Sequence, residues 1–144
     1  MIEILELKNS DAKSSSGIPN DNLRRFIIRE GNKTMGSIQF QRIHPQIAFL
    51  LKLEITDNSV LSVDVIADGL IRTACHTFQM ENILLISADR EVIEKDHLLT
   101  QYFTPLEKIA EVTSDETMTA FLHVHHQEYA LKTDMIYQGC CKGV

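Results

Sequence analysis

The chain has no surplus of basic charge. Its 14 Lys and Arg face 20 Asp and Glu, a formal net charge of −6. Phosphate backbones and anionic headgroups are held by clustered Lys and Arg, so this balance argues against nucleic acid and membrane surfaces as partners. Arg24, Arg25 and Arg29 are too few and too diluted to form a nucleic-acid stripe. Long apolar runs are also missing, and nothing approaches the roughly 20 residues that span a bilayer. The first ten residues, MIEILELKNS, lack the basic start and small-residue cleavage site of a signal peptide, so a cytoplasmic location is expected. Cysteine is scarce. Cys75, Cys140 and Cys141 make no disulfide framework, because the count is odd and adjacent cysteines bridge each other only with strain. Reduced thiols agree with a cytoplasmic setting. Glycines are scattered: Gly17, Gly31, Gly36 and Gly69 stand alone, which excludes a P-loop and a Rossmann fingerprint. Nothing resembles a serine triad, and no internal repeat is present.

What the chain does have is length and patterning. With 144 residues and 44% hydrophobic content, residues 1–144 suffice for one domain with a real core. Ile2 to Leu7 reads as a strand. Residues 9–22, rich in Ser, Asn, Gly and Pro, read as a flexible loop that lies over a cleft or serves as a linker. Phe26 to Ile28 and Met35 to Phe40 flank Glu30-Gly31-Asn32-Lys33, a hairpin signal because Gly and Asn tolerate positive φ. Ile47 to Ile55 is a third strand. The period then changes. Val63, Ala67, Leu70, Ala74 and Phe78 are spaced for one helical face, and Ser59 or Ser62 is the candidate cap. Cys75 falls on that face and reads as a small core residue.

Ile83 to Ile86 reads as a strand covered on both faces. A second helix is predicted from about Arg90 to Phe103, with Asp89 as its cap. Leu106 to Val112 reads as a strand or a helical turn. Met118 to Val124 has strand character, Tyr129 to Tyr137 is another strand or a loose arm, and residues 138–144 form a disordered tail. One strand–helix–strand crossover implies a single parallel pair in a largely antiparallel sheet, an α+β fold.

That order, over roughly residues 23–125, resembles the GNAT superfamily of acyl-CoA N-acyltransferases. The words IADGLIRTACHTFQMENI at 66–83 look like the cofactor helix of small bacterial members, and Gly139-Cys140-Cys141-Lys142 looks like their cysteine-containing tail. The resemblance implies a GNAT-like fold, a central mixed, mostly antiparallel sheet flanked by helices. The family's N-terminal helices are then absent or collapsed into the 9–22 loop. It also implies N-acyl transfer from acetyl-CoA, as co-substrate, to a small-molecule or peptide amine, and a possible homodimer.

The family's fingerprint, Gln/Arg-x-x-Gly-x-Gly/Ala, offers backbone N–H groups and a helix dipole to pyrophosphate. It falls on Ser62, Val63, Asp64, Val65, Ile66 and Ala67, where Ala67 alone agrees. The resemblance makes Ile55, Val63, Asp64, Val65, Ile66 and Ala67 the cofactor-binding positions. It makes Glu54, on the strand before the helix, the base, and Tyr102, on the helix that follows, the acid. Two readings follow from the missing glycines. Backbone amides persist whatever the side chains, so CoA binding survives; or the scaffold has lost its cofactor and is a catalytically inactive binding or interaction domain.

A different class is open in LHVHHQE at 122–128. On a strand, His123 and His125 share a face and could both reach a metal, with His76, Glu128 or the Cys140–Cys141 pair completing a site. No spacing matches a strong metal motif, and exposed histidines on an edge strand are the plainer reading, so no metal ligand is assigned.

Overall fold

The computed structural model describes residues 2–7, 22–56, 61–95, 97–111 and 113–134. Seven strands form one sheet in the order β1-β2-β3-β4-β5-β7-β6. They are β1 (Ile2–Leu7), β2 (Leu23–Glu30), β3 (Lys33–His44), β4 (Ile47–Ile55), β5 (Leu85–Ala88), β6 (Thr104–Pro105) and β7 (Tyr129–Lys132). Only β4 and β5 run parallel; all other neighbours are antiparallel. The α+β reading of the sequence holds, as does its single parallel pair.

Helix α1 (Val63–Met80) makes the crossover between β4 and β5. Its start is fixed by Ser62, whose Oγ accepts the Val65 N–H at 3.3 Å. The apolar stripe of the sequence is the buried face from Ile66 on, with Ala67, Leu70, Ile71, Ala74, Cys75 and Phe78, whereas Val63, expected on it, is exposed in the first turn. The β2–β3 hairpin is also as expected, though both strands are longer. Gly31 takes φ = 59° in its turn, a conformation glycine adopts without steric cost.

Alternation along the strands sorts the core into two layers. Ala48, Ile86 and Leu131 pack toward α1, whereas their neighbours Ile47, Leu85 and Ala130 pack toward the opposite face. There they meet Met118 and Leu122 of α4 (Glu116–Val124). Strand character at Met118 to Val124 is thus overturned. Met118 and Leu122 are four apart and buried together, and Asp115 caps the helix by accepting the Met118 N–H at 3.0 Å. Leu106–Glu111 is a 3₁₀ turn rather than a strand.

The single helix expected over Arg90 to Phe103 is two short ones, α2 (Arg90–Glu94) and α3 (His97–Tyr102). Asp89 does occupy the cap position of α2, but its side chain makes no capping hydrogen bond. Residues 9–21 of the predicted 9–22 loop, Ser59 and the tail with Cys140 and Cys141 lie outside the described residues.

Candidate active site

β4 and β5 pair through Ile47, Ala48 and Phe49 against Leu85, Ile86 and Ser87. Beyond Phe49, β4 keeps only its pairing to β3 among the described residues, and it carries a bulge. Gln39 faces Lys52 and Phe40 faces Leu50, which leaves Leu51 as the extra residue. A bulge adds local twist and bends the strand. The two parallel strands therefore part at their C-terminal ends, and α1 begins just beyond the end of β4.

The first turn of α1 borders this opening. Val63 is 50% and Val65 53% exposed, and Asp64 is exposed too. Ile66 and Ala67 are fully buried. The six fingerprint positions thus divide: Ser62 caps, Val63 to Val65 face outward, and Ile66 and Ala67 hold the helix to the sheet. Ile66 seats against Gly36 of β3. A Cβ placed there would lie 2.7 Å from Ile66 Cγ2 and 3.3 Å from the Glu54 carbonyl oxygen. The absence of a side chain at Gly36 is what lets α1 approach the β4 end this closely. Ile55 is half-buried and packs on the α1-side core.

Glu54 is exposed and paired with Lys52 at 2.8 Å. Its neighbours Leu53 and Ile55 face α1, so alternation sends its carboxylate out of the other face. The hydrogen bond and charge of Lys52 hold that carboxyl below its ordinary value, which keeps it ionised at neutral pH.

Tyr102 lies on the α1 side. Its ring is half-buried against the core, and its hydroxyl donates to Asp68 Oδ1 of α1. Asp68 Oδ2 in turn accepts the Arg72 Nε–H at 2.8 Å. Burial first, and Asp68 second, push the phenol up to about 12. The structure therefore brings Tyr102 to α1, but it sets Glu54 and Tyr102 on opposite faces of the sheet. Asp68 and Arg72 were not among the residues singled out from the sequence. Their one signal is the acid–base spacing i, i+4 on a helix.

The histidines take a different form from the one expected. His123 lies in the last turn of α4 and His125 caps it, so the shared strand face does not exist. The His125 and His44 rings contact Phe121 at centroid distances of 4.2 and 4.8 Å. Glu128 accepts the Arg90 backbone N–H at 3.0 Å. Among the described residues, no group of three His, Cys, Asp or Glu is placed to hold a metal ion. Burial pushes the Cys75 thiol up to about 12, so it is an inert core group.

In three dimensions the chain superposes on many solved acetyltransferases. An acetyltransferase of the GNAT family from Staphylococcus aureus matches with a TM-score of 0.58 at 13% identity, over 92% of this chain and 99% of that one. The PaiA N-acetyltransferase from Thermoplasma acidophilum, solved with coenzyme A, gives 0.56 at 12% identity, over 92% and 99%. The IAA acetyltransferase from Bacillus cereus gives 0.54 at 12% identity, over 73% and 78%. This chain has the GNAT fold. In sequence, no protein-family model and no curated protein matches it. The helix that the sequence matched to the family's fingerprint is α1, and the β4–β5 opening lies beside its first turn. No helix is long and apolar enough to cross a membrane among the described residues.

The groups around the opening suit part of a CoA thioester. Among the described residues, β4 beyond Phe49 has no partner strand on its β5 side, an edge that could meet an extended amide-bearing arm. The outward first turn of α1 has the dipole an anion needs. Two features count against a tight pyrophosphate: Ser62 already takes the Val65 N–H, and Asp64 adds negative charge beside the site.

Proposed function

We propose that the chain transfers an acetyl group from acetyl-CoA to an amine. The observation that carries this reading is the parting of β4 and β5 after Phe49 and Ser87, beside the capped, outward-facing start of α1, in a GNAT fold. When bound, the thioester supplies an activated acyl group. The exposed backbone at the start of α1, around Val63 and Asp64, and the end of β4 at Ile55 would hold the CoA. Glu54, kept ionised by Lys52, takes a proton from the acceptor ammonium. Tyr102 gives its proton to the departing thiolate, and solvent restores it. A cytoplasmic enzyme acting on a cationic amine suits the net charge of −6.

A second reading rests on Val63, Asp64 and Val65. Two exposed β-branched side chains and a carboxylate stand at the phosphate-facing turn, which favours a GNAT scaffold that binds a partner without turning over. A thermal shift with acetyl-CoA, CoA or buffer separates the two. Ligand at about 100 times its Kd stabilises the native state by about 2.7 kcal/mol, several degrees for a chain of this size. A dose-dependent rise, followed by thiol release with an amine panel, supports transfer. No shift at millimolar CoA supports the binding module.

A further inference from the structure

Tyr102 reaches α1 with its proton already committed. The phenol donates to Asp68 Oδ1, and Arg72 fixes the other carboxylate oxygen at 2.8 Å. Asp68 and Arg72 are one turn apart and 34% and 36% exposed, so the pair stands at the rim of the core rather than inside it. α3 packs on α1 and α2. From α1, the charged groups at the phenol are Asp68 and Arg72. On α2, Arg90 pairs with Glu94 and Lys95 with Glu91, so those charges are balanced locally.

We propose that Asp68, held by Arg72, is a positioning residue for Tyr102: it accepts the phenol proton, fixes the hydroxyl against the N-terminal half of α1, and governs how readily that proton is given up. This rests on the N-acyl transfer reading, in which Tyr102 is the acid. A phenol has one proton to donate. To protonate a thiolate, the hydroxyl turns from Asp68 to the sulfur. The S–H bond forms as the O–H bond breaks, and a phenolate is left until water reprotonates it. That phenolate stands next to the Asp68 carboxylate, a like-charge contact that Arg72 only partly offsets. Asp68 therefore orients the acid and at the same time makes it a reluctant one. The upward displacement of the phenol by burial and by Asp68 agrees with this.

The test uses the full chain, Asp68→Asn, Asp68→Ala and Tyr102→Phe, each labelled at tyrosine Cζ with ¹³C. Tyr102→Phe assigns the resonance. Over about pH 7 to 10.5, which brackets the ordinary phenol value near 10, the wild-type Tyr102 signal should stay flat. In Asp68→Asn, which keeps an acceptor but loses the charge, it should begin to move. With acetyl-CoA and butylamine as probes, kcat of Asp68→Asn should fall at the alkaline end while KM for acetyl-CoA stays within about twofold. Asp68→Ala, which loses orientation as well, should lower kcat by about tenfold at neutral pH. A Tyr102 signal as flat in Asp68→Asn as in wild type overturns the proposal. So does a signal that moves while the kcat profile does not. If the signal moves but the wild-type chain transfers nothing to any amine, the transfer reading has failed, and the positioning role falls with it.

Discussion

At its C-terminal end α1 is anchored through Phe78 and Glu81, whereas its first turn faces outward. Phe78 sits among Phe26 and Phe40, with ring centroids 5.7 and 5.0 Å away and all three rings edge-to-face. Arg24 covers Phe78 at 5.4 Å and bonds Glu6 and Glu81, which ties β1, β2 and the helix end together. At the other terminus, the very start of the helix, Val63, Asp64 and Val65 are exposed. One helix thus has a packed, structural end and an exposed end. The scaffold spends its packing where no ligand is expected and leaves bare the turn where the GNAT fold would place one. Changes at the two ends should therefore fail in different ways.

The largest effect is expected at Phe78. Phe78→Ala empties the centre of the aromatic triad and should cost about 3–5 kcal/mol, read as a fall in the denaturant midpoint. A loss under about 1 kcal/mol would mean that the C-terminal end is not the anchor. Gly36→Ala comes next. Its Cβ would meet the branched Ile66 side chain at 2.7 Å and the Glu54 carbonyl oxygen at 3.3 Å, so helix and β4 must separate. Overpacking of this kind costs about 1–3 kcal/mol. It should also weaken any CoA-induced thermal shift, which Phe78→Ala should leave in place wherever the fold survives.

Arg24→Met sharpens the comparison through pH. Arg24 holds the Glu81 carboxyl below its ordinary 4.5, chiefly through their hydrogen bond. A carboxylate lowered in the folded state gives stability that is complete above the unfolded value and is lost as the pH falls through the folded one. Arg24→Met should therefore cost about 1 kcal/mol at neutral pH, given that the network is partly exposed. The cost should shrink below about pH 4.5, where wild type loses the same interaction. A cost that is constant from neutral pH into the acid range would show that Arg24 acts by covering Phe78 alone.

The same contrast explains what could be read in advance. The structural end of α1 was legible because burial leaves a periodic stripe, and the hairpin because Gly31 marks a turn. α4 was misread because HVHH alternates like a strand. Its helical evidence is only the Met118–Leu122 spacing and the Asp115 cap, and nine residues give periodicity little room. The break between α2 and α3 left no Pro or Gly to mark it. At the candidate site, Glu54 and Tyr102 were proposed from their position in the resembled order. That they leave opposite faces follows from the alternation of Leu53 and Ile55 toward α1, which no one-dimensional order reveals. Asp68 was invisible as a partner of Tyr102 because 34 residues separate them.

The smallest stability change, and the most telling for the proposed function, is expected at the exposed end. Asp64 lies in the first turn, where a carboxylate favours the helix dipole, so Asp64→Asn should cost only a few tenths of a kcal/mol. The same charge opposes an anion brought to that turn. Under the transfer reading, Asp64→Asn should therefore tighten CoA by a few-fold and enlarge the thermal shift, most clearly at low salt where screening is weak. Val65→Gly should act in the same direction by letting ligand approach the backbone, but with a helix cost near 1 kcal/mol that Asp64→Asn avoids. Tighter CoA binding in Asp64→Asn would mean that the turn still presents its amides to phosphate. An unchanged or absent CoA response in both variants would mean that the exposed turn of α1 has been given over to something other than a nucleotide.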